Sequence, residues 1–268
     1  MNQAALGKKS EWDKRVERAV DLAERFAYAN EILTFYREVL RLQQSVYNDI
    51  SSQPMATSGA KTSLRACLDL DGSLRYLPAL LALAEGEAPT KLAEEAREMR
   101  ATSAEAQRQV LRDFVAGNPC PHVFFARTLL QPGAEFLAGS YPMPSPGTAP
   151  SVCPLCGARP QAAVLRPEGE GGKRFLLCSL CLTEWEFRRV LCPVCGEGDY
   201  QKLPRYTAEE HDSVRVEACD TCHFYLKSID MTIDGLAVPL VDEVASVPLD
   251  LWAAEHGYKK AESNLMGF

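Results

Sequence analysis

Eight cysteines, arranged as four Cys-x-x-Cys pairs, carry the chemistry of this chain: Cys153/Cys156, Cys178/Cys181, Cys192/Cys195 and Cys219/Cys222. Two cysteines separated by two residues can turn both sulfurs toward one metal ion, and two such loops facing each other complete a tetrahedron of thiolates. The pairs also repeat. Cys153-Pro154-Leu155-Cys156-Gly157 matches Cys192-Pro193-Val194-Cys195-Gly196, and 21 residues inside the first unit correspond to 23 inside the second. One unit of about forty residues therefore occurs twice. Two metal sites are expected, Cys153/Cys156 with Cys178/Cys181 and Cys192/Cys195 with Cys219/Cys222, although cross-braced pairing would use the same residues. Gly157 and Gly196 follow the second cysteine of their loops, where a left-handed backbone lets N–H groups point at sulfur. All-thiolate tetrahedra suit zinc and iron alike, so the ligands do not name the metal.

Other reactive residue types read more blandly. Cys67 lies in a helical stretch and is expected to pack as a small hydrophobe. Cys120 sits in the rigid turn Pro119-Cys120-Pro121-His122. His223 adjoins Cys222 but is surplus where four cysteines are available. His122, His211 and His256 have no carboxylate or nucleophile matched to them, and neither a glycine-rich phosphate loop nor a metalloprotease motif is present. No catalytic residue is assigned, and the chain reads as a non-enzyme.

The elements that must position the cysteines follow from periodicity. Short strands lead into and out of the loops: Arg174–Leu177, Trp185 to Phe187, Val214 to Ala218, and Phe224–Lys227 alternate with a period of two. Upstream the period is helical. Glu11 to about Asn48 reads as one helix or two nearly collinear ones, and Ser51 to Gly59 breaks the pattern. Ser73 is expected to cap a helix over Leu74–Ala84, Thr90 one to Arg100, and Ser103 one ending at Gly117. A last helix spans Val123–Leu130, interrupted by Pro132-Gly133. Gly139–Pro150, with four prolines, ends the helical half. After Asp230, Asp250 is expected to cap a short final helix. The fold class is thus α+β, an N-terminal helical bundle followed by two tandem rubredoxin-like or zinc-ribbon modules with short antiparallel strands. The division is 1–150, 151–190 and 191–268, and the helical half is expected to fold without metal.

Composition narrows the function. The 268 residues carry a net charge of −7. Residues 1–150 hold 17 Lys and Arg against 18 Asp and Glu, and residues 151–268 hold 12 against 18. The cysteine-rich half is the acidic half, which argues against a phosphate backbone as its partner. The longest apolar run, Leu77–Ala84, is far short of a membrane span. The N-terminus shows no export signal, so ten cysteines are expected in the reducing cytoplasm, bound to metal rather than paired as disulfides.

The order Cys-Pro-x-Cys-Gly, Cys-x-x-Cys, Cys-Pro-x-Cys-Gly, Cys-x-x-Cys, closed by Cys222-His223-Phe224-Tyr225-Leu226-Lys227, resembles the formate dehydrogenase accessory protein family, FdhE. The tail Leu249–Tyr258 and His122–Arg127 through Gln131-Pro132 resemble the same family. The resemblance implies a cytoplasmic factor needed to assemble active formate dehydrogenase, binding its catalytic subunit. It also implies iron on the eight cysteines, with zinc compatible with the same ligands. From the residues alone, a zinc-ribbon adaptor for nucleic acid and a rubredoxin-like electron-transfer protein remain the competing readings.

Overall fold

The computed structural model describes residues 9–52, 63–143 and 150–268. The break at Ser51 to Gly59 lies outside the described residues from 53 onward, as does 144–149 within the proline-rich junction.

The helical half begins with α1 (Glu11–Arg25), whose Ser10 and Asp13 form a reciprocal capping box. Phe26 leaves helical conformation, with φ −116° and ψ 93°, and a single 3-10 turn leads into α2 (Asn30–Ser51). The two helices are not collinear. They fold back as a hairpin, with the Trp12 ring 5.7 Å from that of Tyr47 and Gln44 Nε2 donating to Asp13 Oδ1 at 2.8 Å. Periodicity reports which face is apolar, and one extended residue is enough to reverse direction.

Four helices follow: α3 (Leu70–Leu74), α4 (Leu77–Glu87), α5 (Thr90–Ala101) and α6 (Ala104–Ala116). Ser103 caps α6 and Gly117 closes it at φ 76°, as expected. Ser73 caps nothing. It lies within α3, which Asp69 caps through the Gly72 N–H, and its own hydroxyl donates to the Asp69 carbonyl.

The seventh helix, α7 (Val123–Ala138), runs straight through Pro132. A proline inside a helix normally strands the carbonyl four residues back. Here Gln43 of α2 fills the place of the missing N–H, its Nε2 donating to the Thr128 carbonyl at 3.1 Å and to Gln131 Oε1 at 3.0 Å. Gln131 in turn donates to the Ser179 carbonyl at 3.1 Å, inside the Cys178/Cys181 loop. Pro132, expected to interrupt the helix, thus sits beside a buried amide relay from α2 to the first cysteine unit.

Beyond the junction come β1 (Pro160–Glu168), β2 (Gly171–Cys178), β3 (Glu184–Glu186), β4 (Arg205–Thr207), β5 (Val214–Ala218) and β6 (Phe224–Asp230). Then follow α8 (Pro239–Ala245), α9 (Val247–Glu255) and a two-residue β7 (Lys259–Lys260). Pairing among the strands around each set of cysteine loops, β1–β3 and β4–β6, is antiparallel, in line with the expected α+β architecture, while the short β7 adds to β6 in parallel. The units are not separate, however. The strand order is β3-β2-β1-β6-β5-β4, and β1 pairs with β6 in parallel, Ala162 opposite Lys227. The alternation that betrays edge-facing strands is missing from β1 because it lies at the sheet's centre, buried from Pro160 to Leu165.

Apolar packing also crosses the junction. One core joins Leu64, Leu111, Phe125 and Leu130 of the helical half to Leu176, Leu180, Trp185 and to Cys153, Cys156, Cys178 and Cys181. A second joins α1 and α2 to Val241 and Val244 of α8. The arrangement differs from a helical half that closes on itself. Ion pairs reinforce it: Arg18 of α1 reaches Asp242 at 2.5 Å and Asp234 at 2.6 Å.

Asp250 does not begin a helix, since α9 starts at Val247. Its carboxylate is buried against Lys227 Nζ at 2.5 Å, Lys260 Nζ at 2.9 Å and the Tyr225 hydroxyl at 2.8 Å. Glu243, fully buried, accepts from Lys227 at 3.2 Å, from Lys260, and from Asn264 at 2.6 Å. Two lysines and two carboxylates thus balance inside the protein and tie β6, α8, α9 and the C-terminal tail together. Among the described residues no helix is long and apolar enough to cross a membrane.

Candidate metal centres

Each Cys-x-x-Cys loop is folded by its own backbone. Gly157, Gly196 and His223 each donate from N–H to the carbonyl of the loop's first cysteine, at 2.9, 3.0 and 2.8 Å. The residue after the second cysteine is left-handed in all four loops: Gly157 at φ 72°, Leu182 at 55°, Gly196 at 80° and His223 at 58°. At Gly157 and Gly196 an added Cβ would meet nothing within 4 Å, so conformation rather than space favours glycine there. Leu182 and His223 bear the same turn at a cost of about 1 kcal/mol each. His223 is therefore a loop-closing residue. It stands in the place of a glycine, and its carbonyl accepts from Lys259 of β7 at 2.8 Å.

These turns aim N–H groups at sulfur. Leu180 and Cys181 donate to Cys178 Sγ at 3.3 and 3.4 Å, and Val194 donates to Cys192 Sγ at 3.4 Å. The N–H groups of Ala158, Glu197 and Phe224, each two residues past a loop's second cysteine, point at Cys156, Cys195 and Cys222. Such bonds spread thiolate charge and orient ligands.

The sulfurs assemble within units: Cys153 with Cys156, Cys178 and Cys181, and Cys192 with Cys195, Cys219 and Cys222, with all sulfurs of a group within 4.8 Å of one another. In the first, Cys153 lies 3.5 Å from Cys181 and Cys156 lies 3.3 Å from Cys178. In the second, Cys192 lies 3.7 Å from Cys222 and Cys195 lies 3.6 Å from Cys219. A disulfide needs about 2.05 Å. A tetrahedron with metal–sulfur bonds of about 2.3 Å has edges of about 3.8 Å. The cages fit a tetrahedral ion and not disulfides. Metal-free, such a cage must share protons: hydrogen bonds from Cys153 and Cys178 hold Cys156 well below the usual thiol range, while burial pushes Cys178 well above it.

The cages differ in surroundings. All four sulfur residues of the first are buried, and Arg65 donates to the Cys156 carbonyl at 2.7 Å while Trp185 donates to that of Pro150 at 2.9 Å. In the second, Cys195 is exposed and Cys222 half-buried. Metal binding needs thiolates, so the bound state persists at high pH and is lost as pH falls and protons compete with the ion for the sulfurs. On acidification, or with a chelator at neutral pH, one ion per chain is expected to leave well before the other. A chromophoric chelator assay comparing Cys195→Ser with the parent chain should show the fast phase missing. A single phase releasing both ions would contradict the asymmetry.

The remaining candidates stay apart from the cages. Cys67 Sγ lies 3.4 Å from the Tyr141 hydroxyl, and Cys120 is half-buried, its thiol pushed up by burial. His211 accepts or donates at 2.6 Å with the Tyr28 hydroxyl, and the His256 ring stacks 4.0 Å from Trp252. Among the described residues no further cluster of three or more His, Cys, Asp or Glu side chains has ligand geometry. The buried lysine–carboxylate network escaped the sequence reading. Its one signal was Lys227 in an apolar strand, Tyr225-Leu226-Lys227-Ser228-Ile229.

Family models match the part of the chain that carries the cysteine cages. Residues 152–189 match the family model "FdhE, central domain" and residues 190–266 match "FdhE, C-terminal domain". The chain is 29% identical to a protein FdhE homolog of Aquifex aeolicus, over 97% of each. It is 30% identical to a homolog from Pseudomonas putida, over 91% of this chain and 84% of that one. The crystal structure of the FdhE protein from Pseudomonas aeruginosa superposes with a TM-score of 0.74 at 26% identity, covering 97% of both chains.

Proposed function

This chain belongs to the FdhE family, and from that premise we propose that it is a non-catalytic accessory factor required to form active formate dehydrogenase. It acts in the cytoplasm and binds the catalytic subunit of the dehydrogenase. It holds two metal ions, one on Cys153, Cys156, Cys178 and Cys181, the other on Cys192, Cys195, Cys219 and Cys222. Iron follows from the family resemblance, and zinc would satisfy the same sulfurs. Bound iron would add one-electron chemistry, whereas either ion would staple the loops.

The observation that carries this reading is the pair of preorganised four-sulfur cages in a chain of this family. The chain's own residues set how they act: α7 and Arg65 clamp the first cage, and β6 with β7 brace the second. Such rigidity suits a surface that must be presented in one shape.

Deleting the gene tests the proposal. Formate-dependent dye reduction should vanish while immunoblots still detect the catalytic subunit, and tagged protein should copurify with that subunit. Normal formate oxidation in the deletion strain would refute it.

A further inference from the structure

The linker between the two cysteine units is held from inside. Arg174, 3% exposed and paired with Glu217 at 2.8 Å, donates to the Arg188 carbonyl at 3.0 Å. Arg205 donates to the Arg189 carbonyl at 3.1 Å. The backbone of this segment is thereby fixed, while the Arg188, Arg189 and Val190 side chains are exposed.

Among the described residues, the Arg188 and Arg189 guanidinium groups meet no carboxylate. The nearby acids in sequence are engaged elsewhere: Glu184 with Arg166 at 2.6 Å, Glu186 with Lys173 at 2.9 Å, and Glu197 with the Thr221 hydroxyl at 2.6 Å. Two unneutralised positive side chains on a fixed backbone therefore stand out in a half of the chain whose acids outnumber its bases. Arg189 also lines one shallow cleft with Val194, Arg205, Cys192 and Cys219. Large apolar side chains are exposed along the same stretch, Val190 at 37%, Val194 at 41% and Tyr200 at 71%. Cys192 and Cys219 of the second cage thus lie in the same cleft as Arg189, and Cys195 of that cage is exposed, whereas the first cage is enclosed.

We propose that the Arg188–Val190 linker and the open edge of the second cage form one docking face, and that its occupant is an acidic segment of the dehydrogenase subunit carrying an apolar side chain. The inference rests on the accessory-factor reading above and assigns it a surface. Guanidinium groups bind carboxylates through paired, charge-assisted bonds, and arginine beside exposed apolar groups is the composition that recurs at interface centres. Because Arg174 and Arg205 already hold the backbone, the ordering that opposes binding is confined to the side chains. A nucleic acid would need many more free cations, in a less acidic surrounding.

The test is capture of purified catalytic subunit by the full-length, metal-loaded protein. Arg188→Glu with Arg189→Glu should weaken capture by about tenfold or more, with both metal ions and the thermal melt retained. Val190→Asp should weaken it in the same direction. Lys91→Glu with Arg97→Glu, on exposed positions of α5, changes net charge equally and should leave capture intact. Undiminished capture by the linker variant, or equal loss in the α5 variant, overturns the docking face while the accessory role stands. No capture by the parent chain overturns both. Tight binding of a 20-nucleotide single strand, lost in the linker variant, would assign the face to nucleic acid and overturn the proposal.

Discussion

Cys153→Ala is expected to remove one metal ion and, with it, much of the fold, whereas Cys195→Ala removes one ion and leaves the helical half intact. The first cage is part of the core that also contains Leu64, Phe125 and Leu130, and its Ser179 carbonyl is the last acceptor in the relay from Gln43. Loss of its ion opens a buried group of thiols against α7. Structural sites of this kind contribute about 10 kcal/mol or more in small zinc modules, against about 5–15 kcal/mol for a whole domain. The second cage sits at the surface and chiefly supports the β4–β6 loops, so its loss should be local. Metal analysis gives the ion count, and helical circular dichroism on heating gives the stability. Two ions retained in both variants would refute the ligand assignment. Equal loss of helix melting temperature in both would refute the difference in coupling.

Lys227→Met should destabilise the protein by about 3–5 kcal/mol, the usual cost of breaking a buried ion pair from one side. Lys227 Nζ lies 3.2 Å from Glu243 and 2.5 Å from Asp250, and both carboxylates are buried. Without Lys227, two buried carboxylates share one lysine, Lys260. Restoring charge balance with Asp250→Asn in the same chain should recover a large part of the loss, because the penalty comes from the uncompensated charge rather than from lost packing. Chemical denaturation of the single and double variants measures both quantities. A loss below about 1 kcal/mol, or no recovery in the double variant, would mean that water reaches the network.

The cages were legible because ligand chemistry fixes spacing: a tetrahedral ion accepts few loop geometries, and four Cys-x-x-Cys pairs with matched gaps meet them. The strands beside the loops were legible for the same reason, since alternation is set by one buried face. Other features depend on residues far apart in the chain. Pro132 reads as a helix break until Gln43, 89 positions earlier, is seen to occupy the orphaned carbonyl at Thr128. Asp250 reads as a cap until Lys227 and Lys260 surround it. The reversal between α1 and α2 hangs on the extended conformation of Phe26 and the 3-10 turn after it, which no periodicity records. The position of β1 at the centre of one sheet makes its apolar run featureless, so the join between the two units had no sequence signature.

That join has a consequence for how a duplicated unit can be assembled. In each unit the first strand precedes the hairpin, the second enters a cysteine loop and the third leaves it, so β1 corresponds to β4, β2 to β5 and β3 to β6. The central β1–β6 contact pairs a first strand with a third strand. It is a head-to-tail contact, unlike the self-matching contact of a twofold dimer, and such contacts have no built-in stop. The outer edges, β3 and β4, are again a third and a first strand, the same complementary pair left open. What limits the array is blunting. Each outer strand is three residues long, and β3 is bordered by the Arg166–Glu184 and Lys173–Glu186 ion pairs. Short, charged ends discourage another chain from adding on. The repeated unit thus forms a two-membered array, terminated by its ends rather than by symmetry.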